Sequence, residues 1–311
     1  MKAAVLVESG APPRYGDFDD PVPHEGQVVV EVAAAGVHHL DLARASGAFG
    51  EPRIPSVVGS DGVGRTADGR RVFFDGPVAP YGSWAQRALV SEAELLEPAD
   101  GVDDVTAAAL GNTGVAAWLA LSWRAALQPG ETVLVLGATG ALGSIAVQAA
   151  KAQGASRVIA ADRNPDRLQR SRERGADAVV VLDGSTDLRS AFRKAAGSEG
   201  VNVIIDPVWG EAALAAMHTA ARGARHIQIG HSAGLTIEIP ATLVRSSRMD
   251  VRGFAIFDAS MELRREAYQR LTEEAARGAI TVDTIPIPLV DVADAWLQQK
   301  EGAHAKLVLR P

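Results

Sequence analysis

The residues best suited to chemistry fall into a glycine-rich loop and a set of imidazole, carboxylate and amide side chains. Val133 to Leu136 runs directly into Gly137-Ala138-Thr139-Gly140-Ala141-Leu142-Gly143, a GxxGxxG spacing that opens a helix-like stretch. Gly140 can turn tightly enough for backbone N–H groups to approach a pyrophosphate, and Gly143 lets the helix pack close to the strand. The helix N-terminus adds unpaired donors and a positive dipole. In a strand–loop–helix setting this spacing predicts a dinucleotide site in which Gly137, Thr139, Ala141 and Leu142 complete the cradle; the plain alternative is a strand–helix turn. Asp162 lies 19 residues past Gly143, where an acid accepts hydrogen bonds from the adenosine ribose hydroxyls. A 2′-phosphate there would be repelled by up to about 4 kcal/mol, so Asp162 favours NADH over NADPH. Arg163 next to it either binds such a phosphate or is simply solvated.

The remaining candidates are scattered. His38 is the best general acid, since imidazole titrates near neutrality; the alternative is a histidine that fills space by hydrogen bonding. Asn112 and Thr113 are placed to hydrogen-bond a carbonyl oxygen or a carboxamide, or to cap a helix starting near Gly114. Two segments, Asp206 to Gly210 and Gly230 to Gly234, follow predicted strands at their carboxyl ends, where ligands bind in parallel sheets. They contribute Asp206, Trp209, Gly230 and His231, with Trp209 either shaping a nicotinamide pocket or serving as core. Asp41 is assigned to holding its own loop. Cysteine is absent and the seven histidines show no metal-ligand spacing, His38 and His39 being read as pointing apart on a strand. No metal site is expected.

These residues need a scaffold. Short apolar runs at 133–136, 158–161, 179–182, 201–205, 226–229 and 235–239 alternate over most of their length with helix-like segments at 142–153, 165–174, 187–196 and 211–221. That rhythm predicts βαβ units and a doubly wound parallel sheet. Before it, runs at 1–7, 27–35, 71–74 and 84–90 are separated by Pro- and Gly-rich turns and an irregular stretch from Gly47 to Gly64, the texture of a mostly antiparallel domain. After Pro240 come a helix (260–277), a strand (284–289), a helix (290–299) and a closing strand (306–309), read as returning to the first domain. The expected organisation is a Rossmann domain over 111–245 inserted into a substrate domain of 1–110 and 246–311.

The landmarks resemble the medium-chain dehydrogenase/reductase superfamily, in which the smaller domain is GroES-like. Ala35 to Asp41 resembles the segment that carries a catalytic cysteine in zinc alcohol dehydrogenases. Pro55 to Gly64 resembles the segment with a zinc-binding His-Glu pair, Gln128 to Val135 the entry to the Rossmann fold, and Ala303 to Leu309 the closing strand. The zinc cysteine position is His38, the His-Glu positions are Ser60 and Asp61, and the second cysteine position is Asn112. The proton-relay hydroxyl is replaced by Leu40, and a tyrosine common in quinone reductases by Ala43. The resemblance is therefore to the zinc-independent quinone oxidoreductase branch. It implies hydride transfer from NAD(P)H to a quinone or α,β-unsaturated carbonyl, chemistry that leans on proximity more than on acid catalysis. A pathway-dedicated enoyl reductase and a non-catalytic dinucleotide-binding protein remain as alternatives.

Composition sets the outer limits. The chain of 311 residues is 47% hydrophobic and 22% charged, with a net charge of −7, which argues for two globular domains and against a nucleic-acid partner. No apolar run approaches a membrane span, and the amino-terminal residues lack a secretory pattern, so the cytoplasm is the expected location. The alternating segment Leu235–Ile239 is expected to lie at the sheet edge and to pair with its own copy in a homodimer.

Overall fold

The computed structural model describes residues 1–303 and 305–311; His304, within the predicted closing segment, lies outside them. The chain divides into two compact units, Thr113–Arg264 and Met1–Asn112 with Arg265–Pro311.

Thr113–Arg264 holds a six-stranded parallel sheet in the spatial order Ala178–Val181, Arg157–Asp162, Thr132–Leu136, Val201–Asp206, Ala220–Gln228, Asp250–Gly253. This is the doubly wound order, with its direction reversing between Thr132–Leu136 and Val201–Asp206. Every residue of Thr132–Leu136 is buried, because helices cover both faces and the strand must be apolar on each. The helices Ala141–Ala152, Pro165–Glu173, Leu188–Ala196 and Gly210–Met217 supply that cover. Their starts are written locally: Asn164 and Asp187 cap by accepting backbone N–H bonds, and Pro165 takes the first turn.

The sixth strand is not the expected one. Leu235–Ile239 forms no strand: Ile237 and Ile239 pack against a cluster of Met217, Ala224 and Met249 while Leu235 stays 79% exposed. One-sided packing of an extended segment produces the same alternation as a paired strand. The edge belongs instead to Asp250–Gly253, which pairs with Arg225–Gln228, so this unit runs on to Arg264 rather than ending at residue 245. The helix expected over 211–221 also stops early, at Met217, because Ala220 pairs with Val201 and sheet pairing overrides the helical preference of alanine.

The other unit is mostly antiparallel. Its central strand, Gln27–Gly36, is flanked by Asp61–Thr66, Lys306–Arg310 and Arg87–Ser91; Arg71–Asp75 extends one side and Thr284–Pro288 joins Lys306–Arg310 in parallel. Val30, Phe74, Trp84, Trp296 and Leu307 lie in its core. Strand Asp61–Thr66 begins inside the stretch read as irregular, Gly47 to Gly64, because two of its residues are glycines pressed on the neighbouring strand. A Cβ on Gly64 would meet the Glu31 carbonyl oxygen at 2.1 Å, and one on Gly62 the Ala34 oxygen at 2.9 Å, a close approach that only glycine allows. Among the described residues no single helix is long and apolar enough to cross a membrane.

Candidate active site

The central strand Gln27–Gly36 ends on a residue that has to be bare. A Cβ on Gly36 would lie 2.6 Å from Asp61 Oδ1 and 2.7 Å from His38 Nε2. The space allows a direct bond of 2.8 Å between those two atoms, with Asp61 fully buried. A carboxylate only accepts, so the shared proton sits on Nε2. His38 and His39 are not on a strand: His38 is the N-cap of helix His39–Ala45, and its backbone N–H donates to Asp41 Oδ2 at 2.8 Å. The reason is Asp41, whose carboxylate satisfies an orphan donor of the first turn and so favours a helix start over a continued strand. The other Asp41 oxygen accepts from Ser60, whose hydroxyl accepts from Arg44 Nη1 at 3.1 Å.

The network continues inward. Asp61 Oδ2 accepts the Asn112 backbone N–H at 3.1 Å, and Asn112 Nδ2 donates to Asp75 Oδ1 at 2.9 Å. Asp75 thereby fixes the amide orientation, which leaves Asn112 Oδ1 buried without a hydrogen-bond partner. From the far end of the chain comes Lys306, only 4% exposed. Its ammonium donates to the Val37 carbonyl at 2.7 Å and lies 2.9 Å from His38 Nδ1 and 3.4 Å from Nε2. Distances that similar place it across the ring rather than along one lone pair.

Burial pushes Lys306 down to about 8, against the opposing pull of Asp61 and Asp41. Burial alone would raise Asp61, but the adjacent His38 and Lys306 and the Asn112 N–H hold it below the usual carboxylate range. Asp41 is raised by burial, and His39 is lowered by burial with Lys306 and His38 beside it.

In Thr113–Arg264 the loops at the carboxyl ends of three strands converge. Gly137 packs so closely on the turn after Val201–Asp206 that a Cβ would lie 3.0 Å from Val208, and a Cβ on Gly230 would lie 2.7 Å from the Pro207 oxygen. A Cβ on Gly143 would lie 2.2 Å from the Gly137 oxygen, so the helix starting at Ala141 can approach the strand only with glycine there. Asp162 Oδ2 accepts the Thr139 N–H at 2.8 Å and Oδ1 the Arg163 N–H at 2.6 Å, which ties the acid to the glycine loop; the Arg163 side chain is exposed. Asp206 is fully buried: Oδ1 accepts from Val208 and Trp209 N–H at 2.9 and 2.7 Å, and Oδ2 pairs with His226 Nε2 at 2.7 Å. The Trp209 ring stands edge-on to His226, on a backbone with φ of 60°. That conformation is strained for a bulky residue and is maintained by the Asp206 bonds.

Of the predicted residues, His38 and Asn112 meet through Asp61, whereas Thr113 opens the other unit within helix Asn112–Leu119. Gly137 to Gly143, Asp162, Asp206, Trp209 and Gly230 gather at one end of the parallel sheet; His231 follows them, exposed. Sequence reasoning passed over Lys306, Asp75 and His226. Lys306 and Asp75 are charged residues at the ends of apolar runs, a pattern that marks a buried partner, whereas His226 directly follows an arginine in a polar strand and carries no such signal.

The sequence pattern of the zinc-binding dehydrogenase family matches residues 141–276. The chain is 30% identical over 285 residues to an NAD-dependent alcohol dehydrogenase of Sulfolobus acidocaldarius, covering 76% of this chain and 81% of that one. It is 29% identical over 335 residues to the mouse quinone oxidoreductase-like protein 2, covering 100% of this chain and 90% of the relative. The solved quinone oxidoreductase of Thermus thermophilus superposes with a TM-score of 0.83 at 29% identity, covering 100% of each chain. The chain belongs to the medium-chain dehydrogenase/reductase superfamily of oxidoreductases, in its quinone oxidoreductase-like branch. The family name implies zinc, and the donor set here does not fit it. Nε2 of His38 is committed to Asp61, Asn112 offers an amide, and among the described residues no three His, Cys, Asp or Glu side chains are grouped to hold a metal ion.

Proposed function

We propose that this protein is an NAD(P)H-dependent reductase of quinones or α,β-unsaturated carbonyls that works without zinc. The observation that carries the reading is the cradle of Gly137, Gly140 and Gly143 at the reversal point of the parallel sheet, packed on the Pro207–Val208 turn. Backbone N–H groups of the loop and the start of helix Ala141–Ala152, including Leu142, would hold the pyrophosphate. Asp162 and Arg163 would face the adenosine ribose, and Asp206, Trp209, Gly230 and His231 would frame the nicotinamide end. The bound dinucleotide supplies the hydride. What the chain adds is position, and a quinolate formed by hydride addition can take its proton from water. His38 therefore need not be a free acid, and its bond to Asp61 is compatible with that. The Thermus relative is described in complex with NADPH and the Sulfolobus relative as NAD-dependent, so preference is read from this chain's own Asp162, which favours NADH.

The test is turnover of NADH and NADPH with a panel of quinones and enones, with elemental analysis of the same preparation. Oxidation by several quinones, no stoichiometric zinc and no effect of chelators are expected. Activity with a single enone alone would indicate a dedicated enoyl reductase, tight dinucleotide binding without turnover would indicate a non-catalytic role, and one zinc per chain would refute the metal-free reading.

A further inference from the structure

The positions that hold zinc ligands in related dehydrogenases are filled here by a network that already contains a cation. Three observations define it. Lys306 is buried with its ammonium 2.7 Å from the Val37 oxygen and 2.9 Å from His38 Nδ1. His38 is bonded on its opposite nitrogen to Asp61, which also orders the Asn112 backbone. The contact joins residues 268 apart in sequence, so it is not a by-product of local chain geometry. Among the described residues, the charged and titratable groups that act on the ammonium are Asp61 on strand Asp61–Thr66, Asp41 and His39 on helix His39–Ala45, and His38 at its N-cap. Lys306, Asp61 and Asp41 are all buried, and both carboxylates act on the ammonium through their charge.

We propose that Lys306 is a positioning residue: its ammonium is the built-in cation that balances Asp61 and holds the His38 ring in one orientation, taking the place of a bound metal. A metal would do both tasks by coordination; the ammonium does them by charge, from a position fixed by its hydrogen bond to the Val37 carbonyl. Lysine and arginine are not equivalent here: lysine brings a compact point charge, whereas arginine would keep the charge but lay a larger planar group against the imidazole. The consequence for the reaction rests on the reductase reading: losing the charge would loosen His38 and Asn112, and turnover would fall while the dinucleotide, bound by residues 137–143, would still bind.

The experiment uses the full chain with histidine side chains labelled for nitrogen NMR, plus three variants. In wild type, the His38 Nε2–H resonance is expected to be slow to exchange and to move in one alkaline transition as Lys306 loses its proton. Lys306→Met should abolish that transition and speed the exchange at least tenfold. It should also lower kcat at least tenfold with the dissociation constant for NADH within threefold of wild type. Lys306→Ala should recover part of the lost protection and turnover on addition of ethylammonium. If Lys306→Met does not fold, the wild-type titration and Lys306→Arg, expected to keep the charge but disturb the His38 resonance, decide the matter. A His38 resonance indifferent to pH and to replacement of Lys306 overturns the proposal, as does uptake of one zinc per chain by wild type. Because the NMR readout needs no substrate, absence of turnover would count against the reductase reading alone.

Discussion

A lysine inside an apolar strand makes stability depend on pH in an unusual direction. The amine titrates near 10.5 when exposed and near 8 here, so between those values the unfolded chain binds more protons than the folded one and stability rises with pH. Asp61, held below its usual range, behaves oppositely at the acid end. It contributes stability present above the unfolded carboxylate value and lost as pH falls through its folded value. The unfolding free energy from urea titration should climb from pH 8 to pH 10 in wild type, by on the order of 3 kcal/mol at most, and stay flat over that range in Lys306→Met. Asp162 gives a second test at this scale. Asp162→Ser keeps an acceptor for the Thr139 N–H and removes a charge, and should raise NADPH use relative to NADH by about tenfold. The discount from the bare repulsion reflects a half-exposed site where solvent screens charge. A wild-type enzyme that already prefers NADPH strongly would assign the choice to Arg163.

Among the elements, the turn from Asp206 to Gly210 is the most constrained, because one carboxylate satisfies two backbone N–H groups and a buried imidazole. Asp206→Ala would leave the buried His226 imidazole and two partly buried N–H groups without their acceptor and should cost about 3 kcal/mol. Denaturant titration would show that loss, and quenching of Trp209 fluorescence by acrylamide should increase. Much of this level was legible beforehand. Strands such as Thr132–Leu136, and Val203–Ile205 within Val201–Asp206, announce themselves as short apolar runs because helices cover both faces. Leu235–Ile239 misled because alternation reports a buried side, not a hydrogen-bonded partner. The true edge strand, Asp250-Val251-Arg252-Gly253, has two charges in four residues and no pattern to mark it. The glycine loop was readable since its spacing is local. The Lys306–His38–Asp61 contact was not, because its members come from three separate segments and only the fold brings them together.

At the scale of the molecule, the edge now assigned to Asp250–Gly253 pairs on one side only, with Ala220–Gln228, and an edge of this kind invites a second chain. Leu235 and Val251 are 79% and 43% exposed, which adds apolar surface to the same unit. A twofold homodimer through this edge is the expected assembly. The protein should sediment at twice the 32.5 kDa chain mass, and Leu235→Glu with Val251→Glu should reduce it to the single chain while dinucleotide binding persists; a wild-type monomer at micromolar concentration would end the idea. The division of the chain carries one more consequence. The parallel sheet is assembled wholly from residues 113–264, whereas the antiparallel unit needs segments from both sides of that insert. On the ribosome, Thr113–Arg264 can be synthesised and folded while Gln27–Gly36 still lacks its neighbour Lys306–Arg310. During that interval Asp61 and His38 have no lysine beside them, and the charge of Asp61 is balanced by solvent alone. Arrival of the last strand brings the ammonium, so the buried network is completed only when the carboxyl-terminal segment pairs with Gln27–Gly36.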